Sequence, residues 1–260
     1  MSVKRLMCWN VNSLRARLER VQALLQRHQP WALALQETKV EDSLFPHAAL
    51  ESTGYHCSVH GQKTYNGVAI ASRQARHVSV AIGLGHGYDD EAARALGAEF
   101  DDLWLWSLYI PNGSEPESDK FRYKLAWLDA LLVLARALRE APKPSILAGD
   151  FNIAPRPADV CDEDAWQDTV LCRPEVRERF AALEALGFCD AFRTLHPDTV
   201  AYSWWDYRHL GFPKNQGLRI DHMLVDPRLR PRLQGAGIDR DERKGKGASD
   251  HAPIWIDLSD

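Results

Sequence analysis

Cysteine, long apolar runs and net charge are all scarce in this chain. The five cysteines, Cys8, Cys57, Cys161, Cys172 and Cys189, are odd in number and form no Cys-x-x-Cys pair. That argues against a disulfide framework and against structural zinc, and it favours a reducing compartment. No run approaches the ~20 apolar residues of a membrane helix. The opening MSVKRLMCWNVN reaches Asn10 and Asn12 too soon for the apolar core of a signal peptide, so the expected setting is the cytoplasm. A formal net charge of −4 argues against a polyanion binder held by overall charge. A local basic face stays open, because salt makes potential short-ranged. There is no sustained repeat, no low-complexity segment and no linker that would mark a second domain.

What is present is an ordinary globular composition, 45% hydrophobic and 26% charged over 260 residues. This suits one α/β domain spanning 1–260, large enough to bury a core without cross-links. The stretch that organises the rest is Ser145 to Pro155, SILAGDFNIAP. Ser145 to Ala148 reads as a buried strand, Gly149 as the point where the chain turns, and Pro155 and Pro157 as blocks to continuation. Asp150 and Asn152, two apart in an extended segment, point the same way. Such a pair can take a proton from water while the amide orients that water or a phosphate oxygen. It is equally well read as an Asx-turn leaving a strand.

The remaining elements put more polar residues at strand exits. Val3 to Trp9 reads as a strand ending at Asn10 and Asn12, with Ser13 as the N-cap of a helix whose apolar stripe is Leu14, Leu18, Val21, Leu24 and Leu25. Trp31 to Leu35 is a second buried strand with Glu37 at its exit, a β-α-β unit of the kind that gathers ligands at strand ends. Tyr55 to Val59, Val68 to Ala71, Val78 to Ile82 and Leu103 to Ile110 read as strands. Glu91 to Phe100 fits a helix or an edge strand. Phe121 to Leu138 and Val176 to Leu186 read as helices, the second stopped by Gly187. A β-rich final third begins at Ala201, with strands at Leu218 to Val225 and Ala252 to Leu258. Asn10, Glu37, Tyr109, Asp150, Asn152, Asp221 with His222, and Asp250 with His251 all sit at such exits. Singly, each has a bland explanation as a solvated, turn-forming or half-buried group; together they point to one polar crevice.

Seven blocks carry a more specific signal: CWNVNSLRAR (8–17), LQETK (35–39), YIPNG (109–113), GDFNIAP (149–155), YSWWDY (202–207), LRID (218–221) and SDHAP (249–253). In that order, and over essentially the whole chain, they resemble the exonuclease III type of apurinic/apyrimidinic (AP) endonuclease within the endonuclease/exonuclease/phosphatase superfamily. The resemblance implies an α/β fold, a four-layer α/β sandwich of two mixed β-sheets packed face to face with helices outside. It implies that Glu37 binds Mg²⁺ or Mn²⁺, hard ions suited to carboxylates, with Asp250 completing or supporting the metal site and Asn10 beside it. Asp150 would activate the attacking water or protonate the leaving oxygen, held by Asn10 and Asn152. His251, oriented by Asp221, would contact the scissile phosphate, and Tyr109 would donate to the charge developing there. Uncatalysed phosphodiester hydrolysis is slow enough that such a site supplies on the order of 20 kcal/mol. A single base gives only ~10²–10⁴-fold, so cation, donors and positioning must provide most of it.

The implied partner is double-stranded DNA carrying abasic sites or blocked 3′ ends, handled by a monomer. Arg15, Arg17, Lys39 and Lys63 lie near the predicted crevice mouths, where they could meet phosphates or simply solvate a surface. Asn112 belongs to the same DNA-facing set. By resemblance, Trp204, Leu218 and Ile220 would line a pocket for an extruded base-free sugar. The Arg240 to Lys246 cluster reads as a mobile loop. Two departures stand out: Asn12 sits where some relatives carry Asp, and Glu115 where some carry a wedging Arg, so a wedge from the Trp205 to Phe212 loop is expected instead. A competing reading is a phosphatase or phospholipase of the same superfamily acting on inositol or lipid phosphates. Those relatives usually carry a His where this chain has Tyr109, which favours DNA. The intact polar set argues against a catalytically silent DNA-binding module.

Overall fold

Residue alternation in the first strand shows how the layers arise. In β1 (Val3–Asn10), Leu6 and Cys8 face one way, into a core shared with Ile146, Ala148, Met223 and Ile256. Met7 and Trp9 face the other way, onto Leu14, Val21 and Leu24 of α1 (Leu14–His28). A strand buried on both faces must lie between a helix and a second sheet. The computed structural model, which describes residues 3–73 and 77–260, bears this out as a four-layer α/β sandwich.

One sheet runs β11 (Leu233–Ile238), β12 (Ile254–Ser259), β1, β2 (Ala32–Gln36), β4 (Val68–Ser72), β3 (His56–His60). The other runs β5 (Ser79–Ile82), β6 (Ala95–Glu99), β7 (Trp104–Tyr109), β8 (Ser145–Asp150), β10 (Asp221–Val225), β9 (Cys189–Asp190). Each sheet has one parallel pair, β1 with β2 and β7 with β8, and its other pairs are antiparallel. On the outer faces, α1 and the short α2 (His47–Glu51) cover the first sheet. The second is covered by α3 (Asp119–Glu140) and α5 (Pro174–Ala185). Two further short helices are α4 (Glu163–Trp166) and α6 (Ala191–Leu195).

Several local expectations need correction. Glu91 to Phe100 contains neither a helix nor an edge strand: β6 is interior, paired on both sides. Its Gly97 lies against the Trp106 ring, where a Cβ would come within 2.8 Å. Gly149 does not turn the chain but continues β8, because a Cβ there would stand 2.0 Å from the Leu108 carbonyl of the adjoining parallel strand. Ser13 precedes α1 without capping it; its side chain makes no cap bond. Instead the Ser13 and Leu14 amides donate to the Glu37 and Thr38 carbonyls at 2.8 and 3.0 Å, tying the helix start to the segment that carries Glu37. The strand expected from Leu218 begins only at Asp221. β11 was not expected at all: LQGAGI has two glycines, and both lie under the Trp255 ring. The Arg240 to Lys246 cluster, read as a mobile loop, is a 3-10 turn over its first four residues and exposed from Lys244 to Lys246. The turn buries Glu242 and Arg243 and is held from α1 by Arg20 and Arg27.

Candidate active site

The two parallel strand pairs end side by side, and their exits build the site. Asn10 closes β1, Glu37 follows β2, Tyr109 closes β7, and Asp150 closes β8 opposite both Tyr109 and Asp221. Glu37 takes the left-handed region at φ 50°, uncommon for a residue with a Cβ and costing of order 1–3 kcal/mol. The main-chain bond from Ser13 to its carbonyl helps hold it there.

The Asn10 side-chain amide joins the two halves, its Nδ2 donating to Glu37 Oε1 at 2.8 Å and to Asp150 Oδ2 at 2.9 Å. Its oxygen accepts the Asn12 backbone N–H at 2.9 Å, so Asn10 bridges carboxylates and its oxygen is already engaged. Asp150 Oδ1 accepts the Asn152 N–H at 2.9 Å, and Asn152 Nδ2 reaches Asp150 Oδ2 at 3.3 Å. The pair therefore forms the Asx-turn, with Asn152 left-handed at φ 50° rather than extended, and both residues line the cleft. Asn112 donates to the Asn152 side-chain oxygen at 2.9 Å.

Opposite stands His251. Its Nδ1 lies 2.9 Å from Asp221 Oδ2, which also accepts from Ser203 Oγ at 2.6 Å, and its Nε2 lies 3.7 Å from Asp150 Oδ2. Ser249 Oγ, bonded to the Asn10 carbonyl at 2.7 Å, and Trp9, whose indole donates to the His251 carbonyl at 3.0 Å, seat this segment on β1. His222, the neighbour of Asp221, points away to the Ile153 carbonyl and Arg219.

Burial raises the Asp150 pKa strongly; the His251 charge opposes the rise, and Asp221 and Glu37 add to it. Burial would lower His251, but the Asp221 and Asp150 carboxylates outweigh it and push the imidazole well above its ordinary value. Burial, then the Glu37 and Asp150 charges, push the Tyr109 hydroxyl well above 10. It stays neutral, a donor.

Glu37, Asp150 and His251 place ligand atoms within 4.8 Å of one another; the two carboxylates suit a hard divalent cation, whereas an imidazole that keeps both protons donates and does not ligate. Asp250 stands outside this group. Its oxygens accept from Asn12 Nδ2 at 2.9 Å and Trp204 Nε1 at 3.0 Å, so it supports the rim. Lys39 also closes inward, on Glu37 at 2.8 Å and Asn12 at 2.6 Å. Arg17 bonds the Asn12 and Ala248 carbonyls and the Tyr207 hydroxyl. Arg15 and Lys63 are exposed.

The site floors an open cleft of about 650 Å³, walled by the segments around Asn112, Ser114 and Pro116, by Asp168 to Leu171, and by Trp204, Asp206 and Arg208. Trp204 meets Trp166 edge-to-face at 6.1 Å. Leu218 and Ile220 do not line this cleft. Leu218 bridges Val160 and Trp204 from below, and both side chains are buried in the helix-side core. Trp205 is fully buried too, so it is no wedge; Tyr207 and Leu210 are the exposed apolar side chains of that stretch. Glu115 is exposed on the loop whose Ser114 and Pro116 face the cleft.

Residues 7–251 match the Endonuclease/Exonuclease/phosphatase family. The chain belongs to that family. It is similar to Exodeoxyribonuclease III of Haemophilus influenzae, 37% identical over 96% of this chain and 98% of that one. Among solved structures it is similar to the 3′ phosphatase NExo from Neisseria bound to product DNA hairpin, with TM-score 0.96, 39% identity and coverage of 98% and 99%. It is also similar to an AP endonuclease from Archaeoglobus fulgidus, with TM-score 0.94, 33% identity and coverage of 99% and 100%. In this endonuclease/exonuclease/phosphatase member, sequence reasoning missed Trp166 and the Thr169 to Leu171 wall. The one available signal was a lone aromatic in an otherwise polar run, Asp162 to Asp168, started by an Asp162 cap on Ala165.

Proposed function

We propose that this chain is a divalent-cation-dependent DNA repair nuclease, a hydrolase of phosphodiester bonds. It cuts the backbone 5′ to abasic sites by water attack on phosphorus and also trims 3′ ends, as exonuclease and 3′-phosphatase. The whole chain acts as one catalytic domain, as a monomer, in the cytoplasm. One observation carries the reading. The Glu37 and Asp150 carboxylates, joined by one Asn10 amide, face a His251–Asp221 pair across the floor of a cleft open to a polymer.

Five carboxylates, Glu37, Asp150, Asp168, Asp206 and Asp250, line that cleft against His251 and Arg208. A phosphodiester entering it needs a cation between the charges. Glu37 would hold Mg²⁺, or Mn²⁺, beside Asp150, with Asp250 supporting the rim through Asn12. When bound, the ion would supply neutralisation of the phosphate charge.

The protein's own groups do the rest. Asp150, fixed by Asn10 and Asn152, takes the proton of the attacking water. His251, held by Asp221, donates from Nε2 to a non-bridging phosphate oxygen, and the Tyr109 hydroxyl donates to the same developing charge. Asn112, Lys39 and Arg15 would meet the strand, and Trp204 with Trp166 would offer an apolar wall to a sugar lacking its base. Leu218 and Ile220 act only by backing that wall.

A duplex with one abasic-site analogue, incubated with Mg²⁺ or with EDTA, tests this. Incision 5′ to the lesion is expected with Mg²⁺ only. Hydrolysis of an inositol phosphate with the duplex left intact would replace this reading with the phosphatase one.

A further inference from the structure

Lys124 is a charged side chain with no exposure at all, on the buried face of α3. A lysine so placed ordinarily faces a carboxylate. Here the partners are neutral: Nζ donates to the main-chain carbonyls of Asn152 at 2.6 Å, Val170 at 2.7 Å and Asn112 at 3.1 Å. An ammonium has three protons and no acceptor, and each proton is matched to one carbonyl.

Those carbonyls belong to separate segments, and each segment walls the cleft: Asn112 with Ser114 and Pro116, Asn152 with Asp150, and Val170 with Asp168, Thr169 and Leu171. Gly113, at φ 96°, lies against the lysine stem, where a Cβ would come 3.1 Å from Lys124 Cδ. The Asn152 peptide has φ 50°, and its N–H and side-chain amide are the groups that hold Asp150. Burial lowers the Lys124 pKa to about 7, with the Asp150 charge opposing the fall. Burying the ammonium is therefore costly, and core packing alone would favour methionine or leucine at this position.

We infer that Lys124 is a positioning residue: its ammonium staples three cleft segments together and, through the Asn152 peptide, sets the Asp150 carboxylate against the reacting phosphate. The inference rests on the nuclease reading above and names a residue that touches no substrate. A displacement of ~1 Å at a catalytic group costs about 10²-fold in rate.

In the full-length protein, Lys124→Met is expected to lower kcat about 10²-fold, while KM and the Kd for uncleaved duplex change by less than threefold. Leu131→Ala, a truncation on the same helix facing its buried core, is the control: it lowers the melting temperature and keeps kcat at temperatures where it is folded. A folded Lys124→Met with kcat within threefold of wild type overturns the inference, as does a loss confined to melting temperature. If the Met variant does not fold, Lys124→Gln is read by the same kcat and KM criteria. In the wild type itself, the Lys124 Nζ protons should exchange slowly enough to be seen by ¹⁵N NMR below neutral pH. Exchange as fast as at a surface lysine overturns the staple whatever the variants do. Wild-type protein inactive on every DNA substrate would instead overturn the nuclease reading, before any variant is made.

Discussion

Asp150 has three donors around it, from Asn10 and twice from Asn152, yet burial, Asp221 and Glu37 raise its pKa. A carboxyl raised in this way is a base only after it loses its proton, so activity should increase with pH through neutrality and not near pH 4. Raising the Mg²⁺ concentration should move that limb to lower pH, because a nearby cation favours the carboxylate. Asp150→Asn keeps the shape and loses the base; kcat should fall by ~10²–10⁴ with duplex binding retained and the limb gone. A pH–rate profile of both proteins checks this, and near-normal turnover of the variant would remove Asp150 from the chemistry. At the same scale, Asn10 and Asp250, expected at the metal, have side-chain atoms already bonded to Glu37, Asp150, Asn12 and Trp204. Residue type tells that an oxygen is available, and only the partners show that it is already used.

At the scale of elements, the site depends on how closely two parallel strands approach. Tyr109 and Asp150 are the last pair of the β7–β8 register, one step beyond Leu108 and Gly149. Gly149→Ala would drive a methyl into the Leu108 carbonyl, 2.0 Å away, so the strands must part where Tyr109 meets Asp150. Destabilisation of about 1–3 kcal/mol is expected, with a fall in kcat larger than in KM. Urea unfolding and steady-state kinetics measure the two; unchanged stability would mean the strands are not in contact as described. Read locally, this glycine before an Asx pair was a turn, because the constraint on it comes from a strand some forty residues earlier.

Across the whole molecule, one buried ionic cluster joins the last third of the chain to the site. Arg219 donates to Asp159 at 2.8 Å and Asp190 at 2.7 Å, Arg193 also pairs with Asp159, and Asp221 follows two residues after Arg219. Burial would raise both carboxyls, but Arg219 outweighs it and holds them below the usual carboxylate range. Their folded pKa values thus lie below the unfolded ones, so the stability is present above about pH 4 and is lost as pH falls through the folded values. Arg219→Met leaves two buried carboxylates with less compensation, and a loss of about 3–5 kcal/mol at neutral pH is expected. Because the variant's carboxyls are no longer held down, its stability should decline less steeply below pH 4 than that of the wild type. Denaturant melts across pH 3–7 test both points, and a neutral-pH loss under about 1 kcal/mol would deny the cluster its role.

By itself the sequence determined the strands that end in polar residues and the identity of those residues. Asn10, Glu37, Tyr109, Asp150, Asn152, Asp221 and His251 were all legible, because apolar alternation, turn residues and short motifs are local properties of the chain. Only the tertiary structure decided which oxygens remain free and which face each aromatic presents. It also decided that Trp166 is in the cleft while Leu218 and Ile220 are in the core, and that Lys124 binds three carbonyls. The physical reason is distance along the chain: Asn10 reaches Asp150 across 140 positions and Asn12 reaches Asp250 across 238. Pairings that remote are set by how two sheets pack, which no local pattern encodes.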